Sequence, residues 1–396
     1  MVPIFVDAQI SNASKDDWPM FHHDPTHAGY ITSEAVPTGP NVLWSHESES
    51  PVDYSPAIAD GRVFATGYNL HAYNATTGSE LWNEPNGGYC SPAVDGSYVF
   101  TIYNGCTAFN ASTGAQIWST PLFGATVGYS EALVVANDVV YESGGVVRAL
   151  NASTGAELWS YAGKSQSAPA VVGNRLYYGS DDNNVYCVNA STGSRIWNYK
   201  TGGPVQSSPA VADDLIYIGS WDQNVYALNA STGAKVWSYR TGSYIDFSSP
   251  AIANGIVYIG SADNNIYALN ASTSNKIWNF TTGGRVRSSP AIAANVVYVC
   301  SDDGNLYALK ASTGEFLWNY TVQSISDSLG ASFLASPALT SGNVYIGSFD
   351  HIIISIGSTA SVPSPSVPEF SSWIILPALL IICTVAGVVI YRKRVL

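Results

Sequence analysis

A tryptophan recurs along this chain at intervals of 36 to 41 residues, each time at the end of one short motif. Self-similarity at a fixed period indicates a repeat architecture, in which every unit forms the same supersecondary structure. The repeated residues are Trp44, Trp82, Trp118, Trp159, Trp197, Trp237, Trp278 and Trp318. Ser-Pro-Ala stands between them at 55–57, 91–93, 208–210, 249–251, 289–291 and 336–338, with degenerate copies at 130–132 and 168–170. The chain is therefore predicted to contain eight units.

The unit from Ser208 to Tyr239 indicates what each repeat forms. Its β-branched and aromatic runs, such as Leu-Ile-Tyr-Ile at 215–218, are separated by turn sequences such as Asp-Gln-Asn at 222–224 and Asn-Ala-Ser-Thr-Gly at 229–233. Four short strands in a unit of this length are typical of one β-propeller blade. The two-residue alternation and the frequent turn residues argue against a helical solenoid. The predicted fold class is an all-β, eight-bladed β-propeller.

The two ends of the repeat array complement each other. The last unit has three predicted strands, at 335–340, 343–348 and 351–357, but no tryptophan strand, whereas a tryptophan strand at 41–45 precedes the first Ser-Pro-Ala. If this N-terminal strand completes the final blade, the ring closes and no sheet edge is left exposed. The propeller is therefore predicted to span 41–358, after a lead-in at 9–40.

Composition limits the partners of the chain. The formal net charge is −13, and three of the sixteen basic residues lie at the extreme C-terminus, so the rest of the chain is strongly acidic. Such a surface repels phosphate backbones, which argues against nucleic acid as a partner. The cysteines have no metal-ligand spacing. We expect Cys90, Cys106, Cys187 and Cys300 to be small buried side chains, with a Cys90–Cys106 disulfide as the alternative.

The run Tyr-Ala-Leu-Asn-Ala-Ser-Thr-Gly-x-x-x-Trp resembles the tryptophan-docking repeat of the pyrroloquinoline-quinone (PQQ)-type propellers, and the resemblance extends over residues 17–357. Asp-Trp-Pro-Met-Phe at 17–21 also resembles the lead-in of that family. The family includes quinoprotein alcohol dehydrogenases and the non-enzymatic outer-membrane assembly propeller BamB, and in it each indole stacks on the neighbouring blade. The resemblance therefore implies that the eight tryptophans are structural docking residues.

The same resemblance raises the alternative of a quinone-dependent dehydrogenase. In that class PQQ and Ca²⁺ lie over the central channel, with a catalytic Asp and, in the alcohol dehydrogenases, a disulfide between adjacent cysteines. Here no two cysteines are adjacent, and Asp246 and Asp327 lack the sequence context of a catalytic base. We therefore predict no catalytic residue, cofactor site or metal site. A hydrolase or lyase of surface polysaccharide is the second enzymatic alternative.

The two termini predict display at the cell surface. Residues 1–8 resemble the end of a signal peptide. A Ser/Pro-rich linker at 359–371 precedes a predicted transmembrane anchor at 372–396, whose basic end, Arg-Lys-Arg at 392–394, would be cytoplasmic. Val-Pro-Glu-Phe at 367–370 resembles the PEF-type sorting signal of archaeal surface proteins.

Nine Asn-x-Ser/Thr sequons predict N-glycosylation. In most of them Asn-Ala-Ser-Thr-Gly is also a good turn, because an Asx turn and a glycine with positive φ suit the connection between the third and fourth strands. The two roles are compatible. The sequons are at Asn12, Asn74, Asn110, Asn151, Asn189, Asn229, Asn270, Asn279 and Asn319.

Two kinds of cluster raise the question of a metal. The histidine cluster of His22, His23, Asp24 and His27 lies in the lead-in, which we expect to run irregularly across the propeller instead of converging on zinc. The acidic hairpins, such as Asp-Asn-Asn at 263–265, belong to different blades, whereas Ca²⁺ needs six to eight oxygens at one point. We therefore predict that both are structural.

The loops between blades predict the ligand face. The connection from a tryptophan to the next Ser-Pro-Ala copy has 9 to 12 residues in seven cases but 18 from Trp318 to Ser336, which makes Gln323–Leu334 an insertion. Loops on a rigid scaffold are the usual site of function. We predict a monomeric, non-catalytic binding or scaffold module for a surface protein or glycan, with plugging of the channel as the alternative role of the insertion. The other residues of the predicted ligand face are Tyr244, Asp246, Phe247, Arg285 and Arg287.

Overall fold

The computed structural model describes residues 17–49, 51–85, 87–121, 133–322 and 335–358. In these ranges the chain forms eight sheets, each with four antiparallel strands, and one sheet gains a short fifth strand. The innermost strands contact one another in cyclic order, including the first with the last. The eight-bladed propeller predicted from the repeat is therefore confirmed.

The predicted signal-peptide remnant, the linker at 359–371 and the anchor at 372–396 lie outside the described residues, and so does the insertion Gln323–Leu334. Across the part of the chain that is described, no helix is long and apolar enough to cross a bilayer. The predictions for these segments stay predictions.

Two strands precede the first blade, β1 (Tyr30–Ile31) and β2 (Val42–Glu47). The strands that follow run in chain order from the central channel outwards within each blade. Blades 1 to 4 contain β3 (Ala57–Ala59), β4 (Arg62–Thr66), β5 (Leu70–Asn74), β6 (Glu80–Glu84); β7 (Ala93–Asp95), β8 (Tyr98–Ile102), β9 (Gly105–Asn110), β10 (Gln116–Pro121); β11 (Leu133–Ala136), β12 (Val139–Glu142), β13 (Val146–Asn151), β14 (Glu157–Ala162); and β15 (Ala170–Val172), β16 (Arg175–Gly179), β17 (Asn184–Asn189), β18 (Arg195–Lys200).

Blades 5 to 8 continue the same order, except that blade 8 has only three strands from the C-terminal side of the repeat array. They contain β19 (Ala210–Ala212), β20 (Leu215–Gly219), β21 (Asn224–Asn229), β22 (Lys235–Arg240); β23 (Ala251–Ala253), β24 (Ile256–Gly260), β25 (Asn265–Asn270), β26 (Lys276–Thr281); β27 (Ala291–Ala293), β28 (Val296–Cys300), β29 (Asn305–Lys310), β30 (Phe316–Thr321); and β31 (Ala338–Thr340), β32 (Asn343–Gly347), β33 (Ile352–Gly357).

Blade 8 is completed by the N-terminal strand. Strand β2 pairs antiparallel with β33, with Trp44 opposite Ser355 and Glu47 opposite Ile352. Strand β33 is almost wholly buried, so it could not be an open edge. The predicted closure of the ring is therefore confirmed.

The hydrophobic core lies between the faces of neighbouring blades. The second and third strands of a blade are buried on both faces, which their near-continuous apolar runs allow. Tyr217 and Val225 of blade 5, for example, pack in one cluster with Val257 and Leu269 of blade 6. Only the outer strand alternates between a buried and an exposed face.

The repeated tryptophans join each blade to the next. In seven docks the indole Nε1 donates to the carbonyl of the alanine in the following Asn-Ala-(Ser/Thr)-Thr turn, or its copy, at 2.8 to 3.2 Å. Blade 8 has no such turn, and Trp318 donates instead to the carbonyl of Pro37 at 3.3 Å. Each of the eight indoles therefore donates a hydrogen bond to backbone outside its own blade.

The Ser-Pro-Ala motif forms a second ring of links, around the channel. The backbone N–H of the motif's first residue donates to the serine Oγ of the next blade, and Ser336 closes the ring on Ser55 at 2.8 Å. Six of these links fall within the described residues, at 2.8 to 3.1 Å. The repeat of this motif therefore reflects a hydrogen-bonded girdle.

Candidate ligand-binding face

The propeller has two different faces. The turn face carries the connections between third and fourth strands, with the sequence Asn-Ala-Ser-Thr-Gly in its regular form. The mouth face carries the inter-blade loops together with the hairpins between second and third strands, and the two contact each other there, as in the hydrogen bond from Asp302 N–H to the carbonyl of Arg285 at 2.8 Å. The inter-blade loops and the acidic hairpins therefore lie on one face of the propeller.

The lead-in lies in the central channel. Its backbone forms hydrogen bonds with the innermost strands of six blades, whose free edges face the channel. In each of these blades the bonded residue lies three positions after the first residue of the Ser-Pro-Ala copy. Trp18 exchanges two hydrogen bonds with Ile58, and β1 runs parallel to β27 beside Ile292. In four further blades a lead-in carbonyl accepts a hydrogen bond from the inner strand. The N–H groups of Val94, Val171, Val211 and Ile252 donate to the carbonyls of Pro19, Pro25, Thr26 and Ala28, respectively.

The histidines of the lead-in serve as packing groups. His22 stacks on Phe21 at a centroid distance of 4.6 Å, and His27 lies edge-on to His22 at 6.2 Å. Burial lowers the pKa of His22 to about 3 and the pKa of His27 to about 4, so both rings are neutral near pH 7. His27 Nδ1 bonds the carbonyl of Pro209 at 3.1 Å, which ties the lead-in to blade 5.

A cavity of about 350 Å³ lies at the channel mouth, between the lead-in and the inter-blade loops. Its volume is at the lower end of the range for small-molecule sites. Among the described residues, aromatic side chains line it at Phe21, Tyr54, Phe247 and Phe349. Polar side chains line it at Asp53, Gln166 and Arg287, and the girdle contributes Ser55, Ser91, Ser289 and Ser336.

One position of the repeat supplies most of the variable lining. Asp53, Gln166, Phe247 and Arg287 each stand two residues before the first residue of a Ser-Pro-Ala copy, and the motif holds that position at the mouth. The equivalent residues of the other blades are Tyr89, Gly128, Gln206 and Leu334. The repeated frame thus presents four different side chains, Asp53, Gln166, Phe247 and Arg287, to the cavity from four blades.

The predicted ligand face falls into two groups. Phe247 and Arg287 line the cavity, and Arg287 forms a bidentate ion pair with Asp302, with N–O distances of 2.8 to 3.1 Å. Tyr244 and Arg285 lie outside the cavity, where Arg285 donates to the Tyr244 hydroxyl at 3.0 Å. Leu334 and Gln323 lie outside the described residues.

The two half-buried carboxyls of the mouth face, Asp53 and Asp246, differ in their surroundings. Burial raises the pKa of Asp246, and the nearby guanidinium groups of Arg287 and Arg285 oppose this shift. Burial alone raises the pKa of Asp53 to about 6. Asp246 belongs to the predicted ligand face and Asp53 does not, although both precede a Ser-Pro-Ala copy by two or three residues.

Exposed aromatic side chains surround the mouth. Trp221 is 41% exposed and packs against Tyr244 at a centroid distance of 5.4 Å, with the Arg285 guanidinium 5.9 Å above the Tyr244 ring. On blades 1 and 2, Tyr68 is 47% exposed and packs against Tyr89 and Tyr103 at 6.1 to 6.3 Å. Aromatic residues and arginine are enriched at protein interfaces.

The acidic hairpins are structural turns. Asp222 is typical, because its Oδ2 accepts from the Tyr226 hydroxyl at 2.6 Å and from Gly202 N–H at 2.7 Å, while its Oδ1 accepts from Asn224 N–H. Its carboxylate therefore clamps the hairpin to the preceding inter-blade loop. Asp263 and Asp303 make the same contacts.

The sequons form two structural classes. In the turns, as at Asn229, Oδ1 accepts from the N–H groups two and three residues later, at 2.9 to 3.1 Å, which confirms the turn role. In the outer strands, Nδ2 of Asn279 and of Asn319 donates to Asn265 or Asn305 at 2.8 to 3.0 Å. Asn12 lies outside the described residues, and glycosylation stays a prediction for all the sequons.

The residues at the mouth do not fit a quinone with bound Ca²⁺. Ca²⁺ requires six to eight converging oxygens, whereas Asp53 is the one carboxylate among the described residues that line the cavity. Within the same described ranges no three His, Cys, Asp or Glu side chains are placed to share a metal. The four cysteines there are free and buried, as expected, and none lines the cavity.

Comparison with known proteins agrees with this architecture. The family described as "Outer membrane protein assembly factor BamB" matches residues 35–143, 69–169, 143–251 and 246–361. No curated protein is matched by the chain.

Solved structures share the fold at low sequence identity. BamB from Moraxella catarrhalis is 17% identical, with a TM-score of 0.65 over 80% of this chain and 99% of that one. Quinohemoprotein alcohol dehydrogenase from Comamonas testosteroni is 14% identical, with a TM-score of 0.74 over 87% and 81%. A europium-containing methanol dehydrogenase is 13% identical, with a TM-score of 0.73 over 85% and 91%. The docking tryptophans and the family match together show that this chain belongs to the BamB family of PQQ-type β-propellers.

Proposed function

We propose that this chain is a non-catalytic propeller, displayed at the cell surface, that binds a protein partner through its mouth face. The observation that carries the proposal is the contrast between a constant frame and a varied mouth. In four blades the girdle holds one position of the repeat at the channel mouth, and that position is occupied by Asp53, Gln166, Phe247 and Arg287.

The chemistry of the mouth face suits a protein partner. Trp221, Tyr244 and Arg285 form an exposed stack, and residues of these types dominate the binding energy of protein interfaces when they become buried. The family supports the same role, because BamB is named as an assembly factor of the outer membrane. Membrane anchoring through residues 372–396 would hold the mouth face near other surface proteins.

The proposal is tested by capture of partners from surface membranes with the full chain. Trp221→Ala and Arg285→Ala should each reduce the captured partner at least tenfold, because they remove an anchor from the mouth face. Arg195→Ala is the matched control, since Arg195 is exposed near the turn face at the start of β18. If Arg195→Ala reduced the amount of captured partner as much as these two variants do, the partner would not bind at the mouth face specifically.

The enzymatic alternatives are tested separately. The full chain is assayed for dye reduction with alcohols after addition of PQQ and Ca²⁺, and for release of sugars from surface polysaccharide. We expect no turnover in either assay. Turnover that Asp53→Asn abolishes would contradict a non-catalytic role and would identify the mouth cavity as an active site.

A further inference from the structure

The mouth cavity contains a carboxylate, Asp53, that is paired with no charged group of the described residues. Asp53 makes no hydrogen bond or ion pair among the described residues, and its Oδ1 is buried. The charge of Arg287, the cationic side chain in the lining, is already taken up by Asp302. A half-buried carboxylate without a partner costs free energy, and local violations of this kind are expected at functional sites.

The rest of the lining suits a cation as that partner. Phe21, Tyr54, Phe247 and Phe349 line the same cavity. The face of an aromatic ring attracts an ammonium group, most strongly where water is excluded, and rings of this kind recognise quaternary ammonium ligands. The serines of the girdle use their hydroxyl oxygens to accept backbone N–H groups.

We propose that the mouth cavity binds an alkylammonium group, with the Asp53 carboxylate as its counter-ion and the aromatic side chains as its walls. This inference rests on the proposed function, because it names the chemistry that the mouth face recognises. The ammonium group could belong to a small quaternary amine or to a lysine side chain of the protein partner. Both sources share one chemistry and can be separated by the choice of probe.

The site should respond to pH in one direction. Burial raises the pKa of Asp53 to about 6, so the carboxylate is charged at pH 7.5 and becomes neutral as the pH falls through 6. Tyr54 and Arg287 are the other titratable residues in the described lining, and Arg287 is ion-paired with Asp302. Cation binding should therefore be lost in acid.

The test uses the full chain and two probes of equal shape. Choline carries the charge, and 3,3-dimethylbutan-1-ol is its neutral isostere. By calorimetry at pH 7.5 we expect choline to bind at least tenfold more tightly than the isostere, and we expect this preference to disappear at pH 4.5. Nα-acetyl-lysine-N-methylamide is the third probe, and tighter binding of this probe than of choline would assign the site to a partner's lysine.

Variants locate the effect at Asp53. Asp53→Asn should abolish the preference for choline, whereas Asp213→Asn, which removes one charge from a turn of blade 5 far from the mouth, should leave it unchanged. Phe349→Leu keeps most of the apolar volume but removes a ring, and it should weaken choline three- to tenfold and the isostere less. Asp53→Asn should also raise Tm at pH 7.5 and leave it unchanged at pH 4, because only the charged form is unfavourable when buried.

Three outcomes would overturn the inference. These are equal binding of choline and its isostere, an unchanged choline affinity in Asp53→Asn, and a Tm of Asp53→Asn that never exceeds that of the wild type. The proposed function fails by a different result. If partner capture still depends on Trp221 and Arg285 while choline shows no preference, the ammonium site is wrong and the binding role stands.

Discussion

The two faces of this propeller are built from the same repeats but follow different rules. On the turn face the tryptophan docks keep nearly one geometry, and even the exception at Trp318 finds a substitute carbonyl in Pro37. On the mouth face the position two residues before the girdle changes chemistry from Asp53 to Tyr89 and Phe247. Repetition therefore marks where packing of one blade on the next constrains the residue, and variation marks where that constraint is absent.

The contrast has a physical basis. An indole that is buried between two blades has its polar N–H satisfied by one carbonyl, so any smaller residue leaves both a cavity and an unpaired acceptor. A side chain at the channel mouth contacts solvent or a ligand, and the fold places no such demand on it. A substitution on the repeated frame should therefore lower the stability of the fold more than a substitution at the channel mouth.

Deletion of residues 1–46 should have the largest effect. It removes the lead-in from the channel, most of β2 from blade 8 and the Trp44 dock on Ala75. The exposed edge of β33 should then pair with other chains. We expect oligomers or aggregates in size-exclusion chromatography with light scattering and a strongly lowered Tm. A monomer with unchanged Tm would show that β2 does not close the ring.

Two tryptophans give a direct comparison of the faces. Trp237, on the repeated frame, is 8% exposed and donates to Ala271, whereas Trp221, on the mouth face, is 41% exposed. Trp237→Ala should lower the free energy of unfolding by about 3–5 kcal/mol. Trp221→Ala should change it by less than about 0.5 kcal/mol. Chemical denaturation measures both, and similar losses would remove the distinction between frame and mouth.

Substitutions at the glycine position of the turns should change the free energy of unfolding by a smaller amount, and in either direction. Gly233 has a φ of +71°, and a Cβ there would lie 2.6 Å from the Trp197 ring, so Gly233→Ala should cost about 1–3 kcal/mol. Blade 6 has Ser274 at the equivalent place, with a φ of +63°. Ser274→Gly should therefore stabilise the protein by about 0.5–1 kcal/mol. A stability loss in Ser274→Gly would mean that the serine side chain contributes to the dock.

The sequence predicts the frame because the frame is repeated. Eight copies of one motif reveal the blade count, the docks and the missing fourth strand of blade 8, and each of these depends on residues close together in the chain. The lead-in resembles that of related propellers, but its residue-by-residue pairing with six inner strands has no periodicity from which it could be predicted.

The candidate site is harder to predict for the same reason. Its lining comes from the lead-in and from six blades, with one or a few residues from each. Phe247 and Arg287 belong to the predicted ligand face because their loops are rich in aromatic and charged residues. Asp53 and Phe349 are absent from that predicted face. Asp53 nevertheless stands at the same distance before a Ser-Pro-Ala copy as Phe247 and Arg287, so the repeat itself indicates it. No comparable signal exists for Phe349, which lies in the hairpin of blade 8.

The pairing of β2 with β33 also determines when folding can be completed during synthesis of the chain. Glu47 leaves the ribosome early, but its partner Ile352 is among the last residues of the propeller to be made. At about 5–20 residues per second, the intervening stretch of about 300 residues takes roughly 15–60 s to synthesise. During that time the nascent chain carries β2 without the strand that it pairs with. A cell that makes this protein must therefore shield that strand, or keep its neighbours apart, until the last blade arrives.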